Sequence, residues 1–156
     1  MNKLYVIIPL IVAVAFLIFP FMLYAGKMIM VVTSDSMLPI LKPYDMIVVE
    51  KTSIDNASAG DIIVFDSHIK GIGIVAHRAI EILDDHGRIG IGTKGDNVDE
   101  HDPWVVHDED FIGKVANIVP SMGIFLIEPV RYGIVAVIII TAISLLREVM
   151  AKPKTV

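Results

Sequence analysis

Twenty-three consecutive residues, Leu4 to Gly26, carry no charge. The run LYVIIPLIVAVAFLIFPFMLYAG is bounded by Lys3 and Lys27. A helix needs about 20 apolar residues to cross the hydrocarbon core of a bilayer, so this segment is long enough to span. It also exceeds the roughly 7–15 residues of the apolar stretch in a cleaved secretory signal. Pro9 and Pro20 stand towards its two ends, where a kink is tolerated. The expectation is an N-terminal transmembrane helix over residues 4–26, with a cleaved leader as the alternative.

A second apolar run, YGIVAVIIITAISLL, lies between Arg131 and Arg147. Its 15 uncharged residues are few for a span, but arginines that snorkel at both ends extend its reach. Residues 131–147 are therefore expected to form a C-terminal transmembrane helix. A helix lying along the interface is the alternative.

The stretch between these runs has a different character. Residues 28–128 hold seven basic and 17 acidic residues, a formal charge of −10. Such an excess of acids argues against nucleic acid or an anionic membrane surface as a partner. Basic residues collect at the ends instead, at Lys3, Arg147, Lys152 and Lys154. By the positive-inside rule, both termini are expected in the cytoplasm and the acidic domain outside, in a multi-pass protein of the cell membrane; Lys27 votes the other way. The chain has no cysteine, so no disulfide can staple it.

Short runs rich in Ile and Val recur in this middle segment, at residues 30–33, 46–50, 61–65, 73–83, 88–92 and 112–119. Pro39, Pro43, Asn56, Gly60, Gly71, Asp84 to Gly87, Gly95 to Asn97 and Pro103 punctuate them. Few stretches are long and periodic enough for an amphipathic helix. The expected fold is mainly β, an antiparallel sheet domain over 28–128 flanked by the two membrane helices.

Three groups of residues carry candidate chemistry. They are Thr33-Ser34-Asp35-Ser36-Met37-Leu38-Pro39, Val75-Ala76-His77-Arg78, and Thr93-Lys94-Gly95-Asp96-Asn97 with Asp102 beyond. Each alone is ordinary, because serine near a strand end and Asp or Asn beside Gly usually build turns. Together they hold what acyl transfer requires. Serine attacks only when a base takes its proton, and an ordinary histidine is largely neutral at pH 7. A carboxylate on the far ring nitrogen fixes the tautomer, and preorganised donors stabilise the oxyanion.

The run Ser34-Asp35-Ser36-Met37-Leu38-Pro39 resembles the Ser-x-Ser-Met-x-Pro box of type I signal peptidases. Gly60-Asp61-Ile62-Ile63-Val64-Phe65 resembles that family's next box, and Gly95-Asp96-Asn97 followed by Asp102 its last. Val119-Pro120 and Gly123 fit the segment after it. The resemblance covers roughly residues 28–125, in order. His77-Arg78 stands where bacterial members carry Lys-Arg, so the chain is similar to the archaeal and endoplasmic-reticulum type, in which Ser, His and Asp are thought to act. The resemblance implies Ser36 as nucleophile, His77 as base, Asp102 as third member and Asp96 as a supporting acid. It also implies oxyanion donors at the Ser34 side chain and the Ser36 backbone. Asp35 departs from the pattern, replacing a glycine, and Val98 replaces a second asparagine. An acid at 35 opposes a nearby oxyanion unless it points away.

What the resemblance implies is a membrane-bound serine endopeptidase that removes leader peptides from exported preproteins, cleaving after small residues. Its partners would be signal peptides, the bilayer and the export translocon, and the chemistry needs no cofactor. A non-catalytic anchored subunit of a processing or assembly complex, and a maturase with a narrower client, are the competing readings. His101 and His107 lie among Glu100, Asp102, Asp108, Glu109 and Asp110, residue types that suit zinc; a solvated acidic loop is the better account. His68 and His86 fall in turn-like segments, and Trp104 suits either the core or a membrane interface.

Overall fold

The computed structural model describes residue 11 and residues 26–151, except for the side chains at 145–146, 148–149 and 151. Of the expected N-terminal span over 4–26, only Ile11 and Gly26 are thus described, and the rest lies outside the described residues. The chain forms two compact units, one of Gly26–Ile124 and one of Met1–Ala25 with Phe125–Val156.

The first unit is a seven-stranded sheet whose neighbouring strands all run antiparallel. Its strands are β1 (Met28–Val31), β2 (Met46–Glu50), β3 (Ile62–Asp66), β4 (Ile74–Asp85), β5 (Arg88–Lys94), β6 (Val105–Val106) and β7 (Phe111–Val119). The spatial order is β1-β2-β7-β3-β4-β5-β6, so β7 inserts between β2 and β3. The expected mainly β antiparallel fold is what the chain adopts. Boundaries moved by one to two residues at most ends. β6 was not anticipated, because two valines are too short a run to show alternation.

Side-chain alternation explains how one sheet buries both faces. Successive residues of a strand point to opposite sides. Ile63 and Phe65 therefore join Ile54, Ala79, Ile91 and Val106 in one cluster. Val64, between them, joins Met37, Leu41, Ile47 and Val49 in another. All three consecutive residues of β3 are fully buried, which makes β3 the centre of the domain. Trp104 packs against the first cluster, with its ring centroid 6.3 Å from that of Phe65.

Local chemistry closes the connections. His86 and Gly87 take φ of 55° and 83° in the β4–β5 hairpin, and His68 takes 53° after β3, so both histidines occupy the turns expected for them. The buried Asp45 carboxylate accepts from the N–H groups of Lys42 and Ser121. It thereby ties the loop before β2 to the end of β7.

The second apolar run lies in helix α1 (Glu128–Ala151), longer at both ends than the expected 131–147. Pro129 falls in its first turn, where a missing N–H costs no helical bond. Among the described residues, no helix is long and apolar enough to cross a membrane.

Candidate active site

The turn after β1 is pinned from below by two side chains. Met37 and Leu41 are 2% and 1% exposed and sit in the core cluster. Leu38 N–H donates to Asp35 O at 3.1 Å, and Leu41 N–H to Met37 O at 3.0 Å. Burying Met37 leaves Ser36, one residue earlier, only partly buried at the surface of the turn.

His77 comes from the middle of β4, where it pairs with Ile63 of β3. It is buried. The β4–β5 register sets Lys94 opposite Arg78, so Gly95 follows beside His77. A methyl group on Gly95 would lie 2.7 Å from Ser36 O and 3.3 Å from His77 Nε2. Only a residue without a side chain lets these two segments approach.

Asp102 reaches the histidine from the other side. Its N–H donates to Thr93 O at 2.9 Å, which returns the 95–101 loop to the end of β5. Its Oδ2 lies 2.7 Å from His77 Nδ1, and His77 Nε2 lies 3.1 Å from Ser36 Oγ. A carboxylate accepts only, so Nδ1 carries the proton and Nε2 presents its lone pair to the Ser36 hydroxyl. Thr93, fully buried, donates its hydroxyl to the same Asp102 oxygen at 2.6 Å. Ser34 Oγ lies 3.2 Å from Ser36 Oγ.

The structure therefore brings together Ser34, Ser36, His77 and Asp102. Asp96 is elsewhere: its two oxygens take Nε and Nη2 of Arg78 at 2.7 and 2.6 Å. That pairing raises the guanidinium above its ordinary value. Arg78 also donates to Gly60 O at 2.7 Å, so Asp96 braces the scaffold and does not touch His77. The Asp35 side chain is exposed.

Thr93 and Trp104 belong to the site although sequence reasoning gave them no role in it. Thr93 reads as an ordinary strand residue, and its place at the head of the third group was the one available signal. Trp104 walls a cavity of about 460 Å³ that opens on Ser36 and His77, with Met30, Val32, Ile72 and Ala76 among its other lining residues. Its indole N–H is buried without a partner among the described residues. Among the described residues β1 is an edge strand, paired on one side only, and its Met30 and Val31 line this cavity.

His107, in the acidic loop, takes other partners. His107 Nδ1 contacts Ile89 O at 3.1 Å and Nε2 lies 3.2 Å from Asp85. Among the described residues, no group of three His, Asp or Glu is arranged to hold a metal ion.

No protein-family model matches this chain, and no curated protein matches it.

Proposed function

We propose that this chain is a membrane-anchored serine endopeptidase of the signal peptidase type, which removes leader peptides from exported proteins. The observation that carries the reading is the continuous line Ser36 Oγ, His77 Nε2, His77 Nδ1, Asp102 Oδ2, with contacts of 3.1 and 2.7 Å.

In this mechanism His77 Nε2 takes the Ser36 proton as Oγ attacks the scissile carbonyl carbon. The carbonyl electron pair moves to oxygen, facing the Ser36 N–H and the Ser34 hydroxyl. Asp102 holds the imidazolium in place without taking its proton. His77 then protonates the leaving amine, and water, activated by the same base, releases the acyl group from Ser36. An extended substrate would add as a strand to the free edge of β1, its side chains entering the adjoining cavity.

Membrane anchoring rests on the two apolar runs. The first ends two residues before β1 begins at Met28. The second has 15 uncharged residues, about 22 Å of helix at 1.5 Å per residue, and needs Arg131 and Arg147 to snorkel across the rest. Exposed Val137, Ile139, Ile140 and Ile143 on α1 suit contact with lipid. This topology puts both termini in the cytoplasm and the sheet domain outside. Anchoring raises the local concentration of membrane-held substrates.

The test is incubation of the detergent-solubilised chain with a preprotein. Wild type is expected to release the leader, while Ser36→Ala and His77→Ala release none at equal expression. Cleavage by His77→Ala would remove the base assignment. An inactive wild type would favour the non-catalytic subunit.

A further inference from the structure

We infer that Asn97 is a positioning residue for the oxyanion site, holding in place the peptide whose N–H would face the developing negative charge. The inference rests on the peptidase reading above and adds a part to its machinery.

Asn97 grips two successive peptides of the nucleophile turn. Its side-chain Nδ2 donates to Asp35 O at 3.1 Å. Its backbone N–H donates to Ser36 O at 2.8 Å. The first contact bears on the oxyanion. Asp35 O and the Ser36 N–H belong to one peptide unit, which is planar and trans. In such a unit the carbonyl and the N–H point in opposite directions. Drawing Asp35 O towards Asn97 therefore turns the Ser36 N–H the other way. No acceptor among the described residues takes that N–H, so it stays available to a substrate oxygen.

The two grips have separable duties. The backbone bond to Ser36 O survives any substitution at 97 and keeps the turn against the 95–97 loop. Leu38 N–H also holds Asp35 O, at 3.1 Å. Loss of the side-chain amide thus leaves the turn folded but frees the 35–36 peptide to rock about one remaining contact. Both Asp35 and Asn97 are exposed, so water can replace the amide as a donor without reproducing its fixed direction. A donor matters most when charge has developed, because its worth to catalysis lies in being oriented beforehand. The Asn97 side chain should accordingly act on the tetrahedral state and leave binding of the unreacted peptide alone.

The experiment compares two probes on the detergent-solubilised full chain, a leader-peptide aldehyde and the matching peptide alcohol. Ser36 Oγ adds reversibly to the aldehyde carbon, its proton passing to His77, and the former carbonyl oxygen occupies the oxyanion position. The alcohol binds the same cleft without forming that bond. For Asn97→Ala, kcat and aldehyde affinity are expected to fall about 10-fold, less than the 10²–10³ of a donor removed outright. KM and alcohol affinity should stay within about 2-fold, the size of change expected when ground-state contacts are kept. Asn97→Leu lacks the donor but keeps the volume, and carries the test where the alanine lowers the melting temperature. Equal losses on aldehyde and alcohol, or no loss on either, would overturn the role of Asn97. A wild-type chain that forms no aldehyde adduct at Ser36 would instead overturn the peptidase reading itself.

Discussion

His77 Nδ1 sits 2.7 Å from Asp102 Oδ2, the same oxygen that receives the Thr93 hydroxyl at 2.6 Å. One carboxylate oxygen thus serves two donors, one from β4 and one from β5. The imidazole is held in the plane and tautomer that direct Nε2 at Ser36. Asp96, six residues earlier, is spent on Arg78.

This division separates two substitutions of the same kind. Asp102→Asn should lower kcat by about 10³–10⁴ with the fold intact, since the amide favours the wrong tautomer. Asp96→Asn should cost stability, about 1–3 kcal/mol from the lost charge-assisted bonds to Arg78, with kcat within about 10-fold of wild type. Steady-state cleavage rates beside urea unfolding curves check both. A dead Asp96→Asn with a fully active Asp102→Asn would reverse the assignment.

Thr93→Val keeps the shape of a buried strand residue and removes one donor from Asp102. The expected cost is about 1 kcal/mol of stability. A fall of about 3–10-fold in kcat should accompany it as the carboxylate loosens. Thr93→Ser retains the hydroxyl and should restore most of the rate. Equal rates for valine and serine would show that the hydroxyl does not orient Asp102.

Gly95→Ala introduces a methyl 2.7 Å from Ser36 O, a backbone atom that cannot rotate away. The nucleophile turn must shift from His77, and a displacement near 1 Å costs about 10² in rate. Kinetics of the purified variant, with its melting temperature as control for folding, measure this. An undiminished kcat would mean that the turn has room to give.

Acid sensitivity of the domain should trace in part to Asp61. Burial pushes its carboxyl up, but the Lys114 ammonium at 2.6 Å and the Ser58 N–H at 2.8 Å hold it below its ordinary value overall. A carboxyl depressed in the folded state stabilises fully above the unfolded value of about 3.9. That contribution disappears as pH falls through the folded value. Asp61→Asn should therefore be less stable than wild type at neutral pH, and the gap should narrow as pH falls below the unfolded value of about 3.9. Urea midpoints across that range provide the measurement, and a gap constant with pH would exclude the linkage.

Much was legible in the chain itself. Charge-free runs are a property of composition, so the apolar segments and the acidic middle could be read directly. Strand positions followed from Ile and Val runs between turn residues, because alternation and turn chemistry are local. The groups bearing Ser36, His77 and Asp102 were each ordinary alone, and their resemblance, in order, to a known set of boxes singled them out.

The partner of the histidine was a different matter. Asp96 and Asp102 are both carboxylates in one short segment, and linear order carries no distance. The choice between them was made by strand register, which sets Gly95 next to His77, and by the Asp102 N–H bond to Thr93 O, which folds the loop back. Arg78, pointing to the other side of β4 from His77, claims Asp96. These are long-range pairings of backbone, formed only when β3, β4 and β5 assemble, and no local preference of the residues concerned encodes them.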